Sequence, residues 1–339
     1  MIIAIHHKEN GFSQKWIEYC ETNNIKYKLV NCYDNDIVAQ IEECDALMWH
    51  WHHNNPKDIL FARQLIYSIE MMGKKVFPNS KTVWHFDDKV GQKYLLESIK
   101  APTINSYVFY DKQEAIKWIG KTTLPKIFKL RGGAGSENVK MIDTYEKAIT
   151  YINQAFGTGF TGYNRFHSFK EKVWSFQRDK TFKSFINIAK GIGRVFIPHS
   201  TNKLLPIEKG YLYAQDFIPN NDSDIRVIII GNRAFAIKRM TRDGDFRASG
   251  SGNIIYESTA IPQECIKIAF ETTTKLQIQS AAYDFVFLND KPLIIEISYG
   301  FAQSGYLDCP GYWNDNLEFI EGRFTPEFFM IEDLINKQC

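Results

Sequence analysis

Apolar and polar positions along residues 1–80 follow two alternating periods. Short apolar runs at Ile2–Ile5, Lys26–Val30, Ala46–Trp51 and Val76-Phe77 read as strands. Between them, helical spacing covers Ser13–Asn23, Asp36–Cys44 and Pro56–Met72, the last ending at Gly73. Strands separated by helices imply a parallel sheet. Ligands of such sheets gather beyond the carboxyl ends of the strands. Those ends carry His6-His7 and the cluster His50, His52, His53 and Asn54. His50 and His52 read either as polar, substrate-facing lining of a cleft or as a pair of metal ligands with no third partner evident.

The pattern changes at Asp87. Asp87-Asp88 can cap a helix running to Lys100, before Ala101-Pro102. A strand at Asn105–Phe109 and a helix at Lys112–Gly120 follow. Next comes strand (Lys126–Leu130), glycine-rich loop (Arg131–Asn138), strand (Val139–Ile142). The loop lacks the GK[ST] of a P-loop, and no helix follows it. It reads as a flexible hairpin tip or as a cover whose backbone N–H groups grip a triphosphate, with Lys129 supplying a cation. Leu212–Ile218 is an apolar strand bearing Gln215 and Asp216. Gly231-Asn232 then suits a two-residue type II′ turn, which pairs Ile230 with Arg233, Arg226 with Ile237 and Asp224 with Arg239. Asp224, Arg226 and Arg239 thereby share one face, as structural ion pairs or as a site for ribose and phosphates. Arg242 and Arg247 lie in the polar loop beyond and could reach a charged substrate. A helix near Pro262–Gln277 and a last one opened by Thr325-Pro326, with Phe328, Ile331, Leu334 and Ile335 on one face, complete the pattern.

Residues 280–298 form a second expected hairpin, and each of its strands carries one carboxylate in an apolar run, Asp284 and Glu296. With an odd loop, Asn289–Lys291, Leu288 pairs with Pro292 and Asp284 stands opposite Glu296, roughly 4.5–5.5 Å away on the same face. Ser298 shares that face through the two-residue period. Carboxylates so close repel unless a cation lies between them, and magnesium suits oxygen ligands completed by phosphates and water. With an even loop the two acids fall on opposite faces and no site forms.

Composition adds bounds. A chain of 339 residues suggests two or three domains. Hydrophobic content of 44% and charged content of 24% are those of a soluble globular protein. A net charge of +2 gives no sign of nucleic-acid binding. The amino terminus does not read as a signal peptide, and no apolar run reaches the roughly 20 residues that span a bilayer. Cysteines at 20, 32, 44, 265, 309 and 339 show no CxxC pairing and read as reduced thiols of a cytoplasmic protein. Residues 157–208 read as an insertion, with nine Lys/Arg against three acids and nine interleaved aromatics. It is a helical excursion with a basic solvated face or a docking surface for an anionic or glycan-bearing partner.

The order of these motifs resembles the ATP-grasp superfamily of carboxylate–amine ligases, nearest to the branch of the ribosomal-protein glutamate ligase. The segments are DKVGQKYLLESIKAPT, PKIFKLRGGAGSENV, YAQDFI, DIRVIIIGNRAFAIKRMTRDGDFRASG and YDFVFLNDKPLIIEIS, between about residues 87 and 298. The resemblance implies a mixed α/β and α+β chain. A parallel α/β domain (1–82) would precede a two-lobed ATP-grasp domain, its first lobe at 83–210 and its second at 211–339. It implies ATP with Mg2+, or Mn2+, as cofactors. Lys89 and Lys129 would meet the phosphates, beneath a loop of Gly132, Gly133, Gly135 and Ser136. Gln215, Asp216, Phe217 and Ile218 would form the hinge under the adenine, Asp224 would bind the ribose, and Arg226 and Lys238 would contact the nucleotide. Arg239, Arg247 and Lys129 would stabilise phosphoryl oxygens, and Asp284, Glu296 and Ser298 would hold the metal. The family usually has Asn where Ser298 stands, and its Pro-Gly just beyond is replaced here by GFAQSGYLDCPGYW.

The implied chemistry is phosphoryl transfer to a carboxylate and attack of an amine on the acyl-phosphate, releasing ADP and phosphate. The carboxylate would belong to a small molecule, a peptide or a sugar acid, and His50 and His52 are candidate bases toward the amine. A homo-oligomer is compatible with the sequence. A kinase that leaves the phosphate on a hydroxyl, and a non-catalytic nucleotide-binding module, are the alternatives.

Overall fold

The computed structural model describes residues 1–9, 11–133, 138–161, 206–242, 244–248 and 250–336. Its first unit is a parallel sheet of β1 (Ile2–His6), β2 (Lys26–Val30), β3 (Ala46–Met48) and β4 (Lys75–Phe77), in the order β2-β1-β3-β4. Helices α1 (Ser13–Thr22), α2 (Ile37–Ile41) and α3 (Pro56–Met71) connect the strands. Asn55 caps α3 by accepting from the Lys57 N–H, and Pro56 opens it without wasting a donor. Strand β3 stops at Met48, three residues before the apolar pattern ends. Residues 49–55 instead turn away from the sheet with Trp49 and Trp51 buried, and this turn carries the histidines.

After α4 (Ser80–Val83) comes α5 (Lys89–Ser98), capped by Asp88, whose side chain accepts from Gly91 N–H. A second sheet contains β5 (Ser106–Phe109), β6 (Lys126–Lys129) and β7 (Val139–Ile142), covered by α6 (Lys112–Ile119) and α7 (Tyr145–Phe156). The sequence pattern left α7 unassigned, although Ala148, Tyr151, Ile152 and Ala155 recur at helical spacing and are its buried face. The short pair β8 (Phe160–Thr161) and β9 (Ile207–Glu208) brackets the expected insertion, most of which lies outside the described residues. Strand β10 (Leu212–Asp216) enters the second sheet between β5 and β6, giving the order β5-β10-β6-β7. The chain therefore crosses to the next sheet after Asp216, beyond the boundary expected near residue 210.

The third sheet is antiparallel. It holds β11 (Ser223–Ile230), β12 (Arg233–Met240), β13 (Ile254–Ile255), β14 (Ser280–Leu288), β15 (Lys291–Ser298), β16 (Gly311–Asn314) and β17 (Phe319–Glu321), with α8 (Gln263–Leu276) between β13 and β14. Its main order is β15-β14-β11-β12-β16-β17. The β11–β12 hairpin has the register its turn predicts, pairing Asp224 with Arg239 and Arg226 with Ile237. Gly231 has φ +59, a backbone that L side chains rarely adopt, and a Cβ there would also meet the Asp333 carboxylate, so this turn favours glycine.

The β14–β15 hairpin reaches the expected pairing by another route. Its loop is the two-residue Asn289-Asp290, both at positive φ, so Leu288 pairs with Lys291 and Phe287, not Leu288, with Pro292. That even loop alone would set Asp284 against Ile295. A bulge between Asp284 and Phe285 absorbs Ile295 and brings Asp284 opposite Glu296.

The final helix, α9 (Pro326–Asn336), buries Met330, Ile331 and Leu334, a face that takes Met330 in place of the expected Phe328. These side chains share one core with Ile3, Ile5 and Trp16 of the first unit and Ile228, Ile230 and Phe235 of the third sheet. The second sheet has a core of its own, built on Phe128, Ile152, Leu212 and Ala214. Cys20, Cys32, Cys44, Cys265 and Cys309 are buried free thiols, and Cys339 lies outside the described residues. Among the described residues no helix is long and apolar enough to cross a membrane.

Candidate active site

A cavity of about 620 Å³ opens where the second and third sheets face each other, with the histidine turn at one end. Six separate elements bring cations and carboxylates into it. Lys89, the first residue of α5, is buried, and its Nζ donates to Gly133 O (2.7 Å) and lies 3.2 Å from Glu296 Oε1. Burial disfavours its charge, but Glu296 and Asp87 outweigh that and raise its pKa. Asp87, at φ +55, accepts from Gly133 N–H at 2.8 Å. The start of α5 thus clamps the root of the glycine loop from both sides. Sequence reasoning gave Asp87 only a capping role; its left-handed backbone was the part it could not see.

Lys129 ends β6. Burial, with Lys89 nearby, lowers its pKa to about 8 against the pull of Glu296 and Asp284. It makes no ion pair within 4 Å among the described residues. A third group spans β11, β12 and β14, whose register places Arg226 beside Asp284 and Asp224 beside Arg239. Arg239 Nε and Nη2 both donate to the Asp224 carboxylate at 2.7 Å. Its Nη2 also lies 3.0 Å from Asp284 Oδ1, and Arg226 Nη1 lies 3.3 Å from Asp284 Oδ2. Burial opposes the Asp284 charge, yet Arg226 and Arg239 hold its pKa below the ordinary value. Arg239 is pushed above its ordinary value, since Asp284 and Asp224 overcome its burial.

Most of the expected site residues meet here. Gly133, Gln215, Asp216, Phe217, Ile218 and Arg247 line the cavity with those just described. Gln215 and Asp216 nonetheless spend their side chains inside the protein. Gln215 donates to Ser106 and Tyr213, and Asp216 pairs with Lys126 at 2.6 Å. Arg247 is paired with Asp245 two residues away. One expectation needs correction, and two residues already carry partners within the protein. Lys238 is not among the lining residues, because strand alternation turns it to the face opposite Ile237 and Arg239. Asp224 lines the cavity with both its oxygens already bonded to the buried arginine fork. Ser298 faces the cavity, but its hydroxyl donates to Gly300 O at 3.1 Å and accepts from Gly300 N–H at 3.2 Å, closing a loop cap. Gly132 lies just outside the lining, against Asp87, and Gly135 and Ser136 fall outside the described residues.

The far end is uncharged. His50 stacks on Phe12 at 3.7 Å and accepts from Phe12 N–H through Nδ1. Burial lowers its pKa to about 3, and it lowers those of His52 and His53 to about 4. Sequence reasoning placed His53 in the cluster at the strand ends without giving it a role, and it missed Tyr306, which lines the same cavity. Among the described residues, no group of three or more His, Cys, Asp or Glu side chains is arranged to hold a metal ion by itself.

Residues 175–304, ending just past the carboxylate hairpin, match the family model of the RimK-like ATP-grasp domain. The fold is ATP-grasp. A RimK domain ATP-grasp protein from Sphaerobacter thermophilus superposes over 99% of both chains with a TM-score of 0.56 and 12% identity. D-alanine–D-alanine ligase from Bacillus anthracis, solved with ATP, covers 91% of this chain and 89% of its own, with a TM-score of 0.55 and 11% identity. An uncharacterized protein from Mycoplasma pneumoniae is 24% identical over 221 residues, which are 63% of this chain and 70% of the relative. In ATP-grasp terms, the second and third sheets are the two lobes. The first unit is joined to the second lobe through the shared core.

Proposed function

We propose that this ATP-grasp protein is an ADP-forming ligase that joins a carboxylate to an amine through an acyl-phosphate. The observation that carries the reading is the convergence of Lys89, Lys129, Asp284 and Glu296, from four elements of two lobes, on one cavity. ATP is placed between the lobes, its base against the Gln215–Ile218 segment and its phosphates toward the two lysines and the glycine loop. Named structural neighbours include ligases, among them D-alanine–D-alanine ligase.

Magnesium fits the residues present. Asp284 and Glu296 face the same cavity, and Asp284 Oδ1, ion-paired with Arg239 at 3.0 Å, has no well-aligned hydrogen bond and keeps acceptor capacity. Two carboxylates are too few for a closed metal site but suit an ion whose shell is completed by phosphates and water. Magnesium held there would supply charge neutralisation for the phosphate oxygens. Ser298, capped on Gly300, is the weakest of the three expected ligands.

Lys89 and Lys129 bind and orient the triphosphate, and Arg239 faces the oxygens on which charge accumulates during transfer. The substrate carboxylate attacks the γ-phosphorus and expels ADP. The amine then forms its C–N bond as the C–O bond to phosphate breaks, and the amine proton leaves with the phosphate. Burial within the cavity keeps water from the acyl-phosphate.

The test is ADP and phosphate release with Mg-ATP and pools of amino acids, short peptides and uronic acids, with products read by mass spectrometry. A condensation product formed by the natural sequence and lost in Glu296→Gln is the expected result. A phosphorylated product with no free phosphate would instead identify a kinase. ATP bound without turnover in any pool would count against catalysis.

A further inference from the structure

The loop after Ser298 departs from the pattern of the resembled family, and it delivers a side chain to the cavity that no motif flags. Tyr306 follows the short turn Gln303–Gly305. Its ring is 6% exposed and is fixed edge-on by Phe235 (5.3 Å) and Phe301 (5.4 Å). Its polar end is within electrostatic reach of Arg226, Arg239 and Asp284. The ring belongs to the core shared by the first unit and the second lobe, yet the residue also lines the cavity. Its hydroxyl makes no hydrogen bond with another described residue. The ring is buried but its oxygen is not, so the hydroxyl opens onto the cavity that the residue lines. A rigid phenol at the cavity wall, with no hydrogen-bond partner among the described residues, is set up to give its hydrogen bond to something that enters the cavity.

We propose that the Tyr306 hydroxyl contacts the substrate, donating to the carboxylate oxygen that remains on the acyl carbon. The inference rests on the ligase reading. In the first step, one carboxylate oxygen attacks the γ-phosphorus while Tyr306 holds the other. In the second, the amine attacks the acyl carbon, and the carbonyl electron pair moves onto the oxygen that Tyr306 holds. Collapse restores the carbonyl, breaks the C–O bond to phosphate, and releases phosphate with the amine proton. Tyr306 keeps its own proton throughout. Its hydrogen bond strengthens as negative charge builds on that oxygen, so it favours the transition state over the bound substrate.

Tyr306→Phe deletes the hydroxyl and keeps the ring packing against Phe235 and Phe301. The natural sequence and the variant are compared with Mg-ATP, carboxylate pools and hydroxylamine, which traps acyl-phosphates as hydroxamates, and Mg-ATP binding is measured by calorimetry. The expected result is unchanged Mg-ATP affinity and melting temperature, with kcat for hydroxamate formation lowered about 100-fold, as for loss of an oxyanion donor. Turnover in Tyr306→Phe within about twofold of the natural sequence would overturn the inference while leaving the ligase reading intact. Weakened Mg-ATP binding would move Tyr306 to the nucleotide site and overturn it too. If the natural sequence forms no hydroxamate with any carboxylate, the ligase reading fails and the inference falls with it.

Discussion

The two ends of the cavity answer the same physical problem in opposite ways. On the sheet side, Asp224, Arg239 and Lys89 are at most 8% exposed, yet each faces an opposite charge in an ion pair of 3.2 Å or less. On the turn after β3, His50, His52 and His53 meet rings, each other and backbone amides, and their pKa values fall to about 3 to 4. Burial penalises charge in both places. The penalty decides the outcome where no close ion pair forms. One end therefore keeps fixed charges, while the other offers neutral imidazoles and aromatic faces.

Lys129 lies between these cases, charged but without a close partner, and it makes the contrast testable. The largest effect is expected from the paired end. Asp284→Asn would strip Arg226 of its carboxylate and leave Arg239 with Asp224 alone, and breaking such a buried pair typically costs about 3–5 kcal/mol. Urea unfolding should register that loss, with ADP release falling by two orders of magnitude or more (about 10²-fold). Unchanged stability would mean that water, not Asp284, balances the arginines.

Lys129→Met should behave differently. Mg-ATP affinity measured by calorimetry should weaken at least about 30-fold, equivalent to about 2 kcal/mol. Melting temperature should hold or rise, because a poorly compensated buried ammonium has been removed. A fall in both would place Lys129 with the paired group.

The neutral histidines should dominate acid sensitivity. Their folded pKa values lie below the unfolded value near 6.5, so the unfolded chain binds more protons in the window between. Stability should therefore decline as pH falls from about 6.5 toward 4. His50→Phe, which preserves the stack on Phe12, should flatten that decline in a melting-temperature series, and an unaltered slope would assign the acid limb to other groups. The smallest effect concerns the nucleotide. With Lys129 near 8 in the free protein and raised by bound phosphates, Mg-ATP affinity should be flat below about pH 8 and fall above it. Calorimetry from pH 6.5 to 9.5 checks the break, which Lys129→Met should abolish.

Local chemistry was enough to read much of this protein. Apolar runs and helical spacing marked the parallel unit, and Gly231-Asn232 fixed the β11–β12 register because a two-residue turn leaves one way to pair the strands. Isolated carboxylates in apolar strands identified Asp284 and Glu296, since a lone charge in such a run needs a reason. Local chemistry could not decide that Asp284 faces Glu296. The loop is even, and a bulge at Ile295 restores the pairing; whether a strand bulges depends on how the whole sheet packs. Nor could it show that Asp224 is held by Arg239, that Ser298 caps Gly300, or that His53 and Tyr306 reach the cavity. Periodicity tells which way a side chain leaves the backbone. Which charges and rings it then meets depends on residues distant in sequence, and only the packed structure brings those together.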